Sequence, residues 1–225
     1  EIAFFTQRDA FGDAGFSGGI AALQRRGFTD EKLIAHGRYE RNTIAVEKGL
    51  ADILMAKTEP KAVIMVGAYA PCAAFIKLAR QSGLQALFLN VSFVGAAPLA
   101  QELGSDGEGV IITQVVPHYD SDEPVVVGFR RSLEKFMPLE RPSFGTLEGY
   151  IVGKILIRSL TEISGPLTRE SIVDSLENLG RFDIGLGNTL ELNRTEHQAS
   201  HQVWPTIIRN RKVVPFSWNE LTWVQ

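Results

Sequence analysis

The sequence predicts an α/β fold, a doubly wound parallel sheet with part of a second α/β lobe. Three observations lead there. Short apolar strands alternate with amphipathic helices from residue 2 to residue 116. The turns that follow strands combine glycine, an aromatic ring and small polar residues. After Pro117 the rhythm breaks, and helices follow one another without intervening strands.

Five strands carry the first part: Ile2 to Thr6, Leu33 to Tyr39, Ala62 to Val66, Ala86 to Val91 and Val110 to Val116. Each is short and rich in β-branched or aromatic residues. The first intervening helix spans 14–26, where Phe16, Ile20 and Leu23 recur at spacings of four and three and Gly27 provides the stop. The second, 45–57, has Val46, Leu50, Ile53 and Leu54 as its apolar stripe, and Pro60 restricts the residues after it. A third opens around Pro71, tolerated in a first turn, and runs through Phe75, Ile76 and Ala79 to Gly83. A fourth covers 96–103. Strands alternating with helices of this length pair in parallel through right-handed crossovers.

Beyond Pro117, helices are expected near 125–136, 143–163 and 168–178. Thr168 offers an N-cap, but Ser171 is not the acid or amide of a capping box. Leu147, Ile151, Ile155, Leu156 and Leu160 form a broad apolar face on the long helix, and no nearby strands would cover it. Strand-like segments return only at 187–192, 203–209 and 212–216. Residues 118–192 therefore read as part of a second lobe whose main sheet lies outside this sequence.

Composition narrows the function. The 225 residues are 44% hydrophobic and 22% charged, which excludes a disordered or collagen-like chain. With 23 Lys plus Arg against 26 Asp plus Glu and no basic stripe, no nucleic-acid partner is expected. Charged residues interrupt every hydrophobic run before the roughly 20 residues that a membrane helix needs. Cys72 is the only cysteine, so an internal disulfide and a cysteine-based zinc site are both excluded. A strand that begins at Ile2, with neither Met nor a signal peptide before it, leads to the expectation that polypeptide precedes Glu1.

In an open α/β sheet ligands bind beyond the carboxyl ends of the strands. The turn after the first strand, Gln7 to Asp13, contains Asp9, Phe11 and Gly12; that after the third, Gly67 to Pro71, contains Ala68 and Tyr69; that after the fourth begins Ser92-Phe93. Phe11, Tyr69 and Phe93 are expected to converge on one edge, with the Ser92 hydroxyl and backbone N–H groups as polar partners for a small molecule. Helix N-termini there favour a carboxylate. The alternative is that the three rings merely cap the edge of the core.

Enzyme signatures are incomplete. Gly12, Gly15, Gly18 and Gly19 follow a strand, but their spacing is not that of a dinucleotide fingerprint and there is no phosphate-loop lysine; Gly15 and Gly18 read as points of close helix-to-sheet packing. His197 and His201 have metal-ligand spacing only on a helix and lack an obvious third ligand. The acidic stretch Asp120, Asp122, Glu123 has no calcium-loop pattern. Ser92 lacks the glycines of a nucleophile elbow, and Cys72 has no evident histidine partner. Neither a cofactor nor a metal is expected.

Six ordered segments carry a resemblance: Ile2 to Gly12, Tyr39 to Thr43, Val66 to Pro71, Asn90 to Gly95, Gly109 to Pro117, and Ser143 to Tyr150. In order and spacing the chain resembles the extracellular ligand-binding receptors of ABC transporters of the branched-chain amino acid type, the leucine/isoleucine/valine-binding family, with a type I periplasmic binding protein-like fold. The resemblance implies a C-terminal-type ligand-binding lobe over 1–116, a partial, mainly helical N-terminal-type lobe over 117–195, and returning strands over 196–225. It implies a ligand set of Asp9, Phe11, Gly12, Ala68, Tyr69, Ser92, Phe93 and Phe144. In it Phe11 is an aromatic gate, Tyr69 part of the ligand wall, and Ser92 stands where amino-acid binders carry an acid. A serine hydroxyl cannot ion-pair with an ammonium, so a carboxylate or amide is as fitting a ligand as an amino acid. The implied partners are a small-molecule solute, an ABC transporter membrane permease and a missing N-terminal part of the same protein. The implied place is periplasmic or extracellular and the implied motion hinge closure. A sensory ectodomain of a signalling receptor is the alternative role, and an α/β enzyme a more distant one.

Overall fold

The computed structural model describes residues 1–29 and 33–221. Residues 222–225, part of the segment read as completing the first lobe, lie outside the described residues. The chain separates into two compact units, Glu1–Gln114 with the segment from Pro205 on, and Val115–Trp204. The polypeptide thus passes from the first unit to the second once and returns once.

The first unit is built on a seven-stranded sheet. Its strands are β1 (Ile2–Gln7), β2 (Leu33–Tyr39), β3 (Ala62–Val66), β4 (Leu87–Val91), β5 (Ile111–Gln114), β8 (Trp204–Arg209) and β9 (Lys212–Pro215), in the order β2-β1-β3-β4-β5-β8-β9. The neighbours among β1 to β5 pair in parallel, with Phe5 opposite both Gly37 and Met65. The hairpin β8-β9 is antiparallel and turns at Asn210 and Arg211, both at positive φ, as a two-residue turn of this twist requires.

Alternation along β1 divides the core. Phe4 meets Phe16 of α1 (Ala10–Gln24) edge-on, with ring centroids 5.0 Å apart. Phe5 points the other way and stacks on Phe75 of α3 (Tyr69–Gln81), 4.0 Å between centroids. On that second face α2 (Glu47–Leu54) comes down on β2 and Phe5 at Gly49, and α4 (Ala96–Leu103) joins α3 through the Lys77–Glu102 ion pair at 3.4 Å. His36, on the α1 side, stacks on Phe16 at 4.0 Å and bonds Thr6 Oγ1 through Nε2 at 2.8 Å. Burial there, with Arg38 and Arg8 nearby, lowers its pKa from the ordinary 6.5 and favours the neutral ring.

The second unit contains α5 (Pro124–Phe136), α6 (Phe144–Thr161), α7 (Arg169–Glu177) and a two-stranded antiparallel sheet of β6 (Gly180–Phe182) and β7 (Leu190–Leu192). Val125, Val126, Phe129, Leu147, Ile151 and Phe182 lead its core. Val152, Leu156 and Ile157 of α6 are exposed, at 58%, 41% and 63% of their surface.

Several expectations need correction. Helix α1 starts at Ala10 rather than 14, because Asp9 adopts an extended N-cap conformation and accepts the Gly12 N–H. Phe11 and Gly12 are therefore helical rather than part of a turn. Leu54 is exposed, so the buried stripe of α2 is Leu50 and Ile53, preceded by Val46. Gly15 does pack closely, on Val66, but Gly18 faces open space and Gly19, against Phe4, is the second close approach. Thr168 heads a complete capping box after all, since the Ser171 hydroxyl accepts the Thr168 N–H at 2.9 Å. Strand β6 was not foreseen; it is three residues long, too short to show alternation. On α6 the deeply buried positions are Leu147 and Ile151, while Leu156 is exposed.

These contacts set opposite outcomes for two glycine substitutions, read by the midpoint of denaturant unfolding. Gly18→Ala adds a methyl to open space in a helix and is expected to stabilise by about 0.5–1 kcal/mol. Gly37→Ala drives a Cβ into the Gly49 carbonyl, backbone that cannot rotate aside, and is expected to cost about 3 kcal/mol.

Candidate ligand-binding site

Because β1, β3 and β4 are adjacent and parallel, the segments that follow them emerge side by side at one end of the sheet. Seven of the eight sequence-predicted residues lie in these segments, within the first unit. Phe11 is the second residue of α1, and its ring meets that of Phe93 with centroids 4.5 Å apart and planes at 50°. The two rings reach each other from the segments after β1 and β4, strands that flank β3. Phe93 remains 66% exposed and Tyr69 43% exposed, so neither ring is consumed by the core. Ser92 begins a short 3-10 turn, Ser92–Val94, whose Val94 is buried as an anchor. The Ser92 carbonyl accepts the Gly95 N–H at 3.1 Å, and Ser92 is half-buried.

Tyr69 is the first residue of α3, and Ala68 its N-cap, with no side chain satisfying the first N–H groups of that helix. By contrast Asp9 closes the N-terminus of α1. Its Oδ1 accepts from Gly12 N at 3.1 Å and its Oδ2 from Gln7 Nε2 at 2.6 Å. The Gly12 N–H first, then the Gln7 amide and the Arg41 charge, hold the Asp9 carboxyl below its ordinary value of 3.8. Gly12 is buried, and any Cβ there would collide with the Gln7 carbonyl. Only glycine lets α1 start this close to the end of β1.

Phe144, the eighth residue, belongs to the second unit. It opens α6 behind the Ser143 cap and packs against Tyr119 and His118, at 5.1 and 5.4 Å between ring centroids. Sequence reasoning missed four contributors. Tyr39 and Gln7 sit at the strand ends and are buried, and both hydrogen-bond into the segments just described. A polar side chain in the last position of a buried strand was the available signal. His118 and Tyr119, in contact at 4.3 Å, extend the aromatic group around Phe144.

The other residues weighed for chemistry go elsewhere. Cys72 is fully buried in α3, and burial pushes its thiol pKa up, away from the reactive thiolate. His197 and His201 turn to different carboxylates, Glu177 at 3.1 Å and Glu196 at 3.0 Å. Among the described residues no three His, Cys, Asp or Glu side chains are grouped to hold a metal. A cavity of about 450 Å³, lined by Ile2, Ala62, Leu87, Leu89 and Trp218, lies at the amino ends of the strands. Among the described residues, that end lacks the convergent helix N-termini that ligands use in such sheets.

A mostly parallel sheet with helices on both faces, entered again by a late antiparallel hairpin, is the type I periplasmic binding protein fold. The periplasmic binding protein family description matches residues 1–212, and the chain belongs to that family. Among solved structures, a possible leucine/isoleucine/valine-binding protein from Rhodopirellula baltica SH 1 is 50% identical with a TM-score of 0.94, over 99% of this chain and 60% of that one. A leucine-binding protein from Thermotoga maritima MSB8 shares the fold at 18% identity and TM-score 0.80, over 96% of this chain and 59% of that one. So does a fatty acid ABC transporter substrate-binding protein from Thermomonospora curvata, at 16% identity and TM-score 0.79, over 95% and 56%. The chain therefore spans about 60% of the length of these relatives. No curated protein matches it.

The electrostatics of Asp9 have a pH signature. With its folded pKa lowered, the carboxylate's contribution is fully present above the ordinary 3.8 and is lost as pH falls through the lower folded value. Asp9→Asn is expected to lower the melting temperature at pH 7, and the gap from the unsubstituted protein should close on acidification below that range. A gap that is unchanged at low pH would show that the charge is irrelevant.

Proposed function

We propose that this chain forms the larger part of a solute-binding receptor of an ABC transporter, located in the periplasm or outside the cell. Its site takes a small polar or amphipathic molecule, an amino acid, carboxylate or amide. Binding rather than catalysis is its role, and the bound form is what a membrane permease reads. The observation that carries this reading is the row of segments after β1, β3 and β4. They bring exposed Phe93 and Tyr69, the Phe11 ring and the uncapped N-terminus of α3 to one sheet edge. Exposed rings supply apolar contact, and free N–H groups supply donors for a carboxylate or carbonyl oxygen. The relative at 50% identity, itself a possible leucine/isoleucine/valine-binding protein, supports the substrate class. The proposed closure is a hinge motion at the two segments where the chain passes between units.

The second unit is completed, on this reading, by a preceding part of the same protein. Support comes from the exposed apolar positions Val152, Leu156 and Ile157 on α6 and from relatives whose length this chain only partly spans. Such a row on a long helix is stable when a sheet covers it.

Isothermal titration of the whole protein against leucine, isoleucine, valine, short-chain fatty acids and their amides is expected to yield a binder. Tyr69→Ala and Ser92→Ala should each weaken it about tenfold, the loss expected for one aromatic face or one hydrogen bond. Absence of any binder, or indifference to both substitutions, would overturn the site. Val152→Glu with Leu156→Glu is expected to cost the whole protein about 2 kcal/mol or more, because the carboxylates would be buried unpaired. The same change should leave the 225-residue chain alone nearly unaffected.

A further inference from the structure

Four hydrogen bonds link the segments after β1 and β3 through one buried tyrosine. The Ala68 N–H donates to Tyr39 Oη at 3.2 Å, and the Tyr39 hydroxyl donates to Gln7 Oε1 at 2.8 Å. Gln7 Nε2 donates to Asp9 Oδ2 at 2.6 Å, and Asp9 Oδ1 accepts from Gly12 N at 3.1 Å. Tyr39 ends β2, two strands away from β3, so its hydroxyl reaches past the end of β1. We propose that Tyr39, acting through Gln7, is a positioning residue of the ligand site that holds the Phe11 segment and the Tyr69 segment in one fixed arrangement. This deepens the function proposed above and rests on it.

The relay has one consistent direction. An amide N–H only donates and an ionised carboxylate only accepts. Asp9 therefore orients the Gln7 side chain with its nitrogen toward the carboxylate and its oxygen toward Tyr39. That oxygen in turn accepts a hydrogen bond from the tyrosine hydroxyl, which leaves a lone pair on Oη for the Ala68 N–H. Reversing Gln7 would set oxygen against oxygen at Asp9. The phenol remains a donor over the physiological range, since burial pushes its pKa up to about 12.

Packing around the relay matches this role. The Tyr39 ring lies on Phe5, 5.3 Å between centroids at 21°, and Phe5 lies on Phe75, so the hydroxyl is held from below by the core. At both ends glycine permits the approach. A Cβ on Gly67 would stand 2.7 Å from Tyr39 Oη, and one on Gly12 would strike the Gln7 carbonyl. The carbon skeleton of α3 and α1 could be built with side chains at these points only by moving Tyr69 and Phe11 away from the sheet edge.

The test uses the whole protein with Tyr39→Phe, which keeps the stacked ring and removes only the hydroxyl, and Gln7→Met, which cuts the relay at its middle. The primary reading is amide hydrogen exchange by NMR. Each variant is expected to speed exchange about tenfold at both Ala68 and Gly12, the effect of one lost hydrogen bond passed along the chain, with Val63 and Phe75 unchanged. If Tyr39→Phe quickens Ala68 alone and leaves Gly12 as it was, the two segments are independent and the proposal fails. The second reading is affinity for the probes leucine and hexanoate. Measured well below the melting temperature of each variant, which the lost buried hydrogen bond is expected to lower, whichever probe binds the unsubstituted protein should bind each variant about tenfold more weakly. Unchanged affinity despite faster exchange would also overturn the positioning role. Should neither probe bind the unsubstituted protein, the receptor reading for these solutes fails, while exchange at Gly12 still decides the relay.

Discussion

Parallel pairing of β1 with both β2 and β3 decides where everything else can go. A parallel neighbour has to be reached by a crossover, so each helix returns the chain to the starting edge, and each strand delivers its following segment to the same far edge. Phe5 stands opposite Gly37 on one side and Met65 on the other. With that register set, Phe4 and Phe5 commit α1 to one face and α2 and α3 to the other. The residues at the carboxyl ends then have no alternative to meeting one another.

What they do on meeting depends on polar groups at the last buried positions of the strands. A core of Phe, Ile and Met specifies the layers but leaves the exits of the strands loose, because apolar packing is non-directional. Thr6, Gln7 and Tyr39 supply direction. Thr6 takes His36, while Gln7 and Tyr39 tie the beginnings of α1 and α3 together. Fully satisfied buried groups of this kind hold a single geometry, since any rearrangement leaves a donor unpaired in a low-dielectric setting. The aromatic residues Phe11, Tyr69 and Phe93 can then stay partly exposed without losing their places.

The second unit follows a different logic. Its three helices and a short two-stranded sheet bury one set of side chains around Phe129, Leu147 and Ile151, and leave a second apolar row on α6 facing outward. A helix with apolar residues on more than one face is suited to a position between two layers. The capping boxes at Ser143 and Thr168 fix the starts of α6 and α7 independently of what covers them.

By itself the sequence determined the order of the strands and helices apart from β6, the parallel sheet and the three strand-end segments, because hydrophobic periodicity and glycine stops are local signals that survive without tertiary context. It also located Asp9, Phe11, Gly12, Ala68, Tyr69, Ser92 and Phe93 at strand ends, since position after a strand is read directly from the chain. Only the tertiary structure decided that α1 begins at Ala10, that Gly19 rather than Gly18 meets the sheet, that Phe11 touches Phe93, and that Tyr39 bonds to both Gln7 and Ala68, 32 and 29 residues away along the chain. The reason is the same in each case. These outcomes depend on which atoms approach across neighbouring strands, and a hydrogen bond or a missing Cβ acts over a few ångströms of space whatever the separation along the chain.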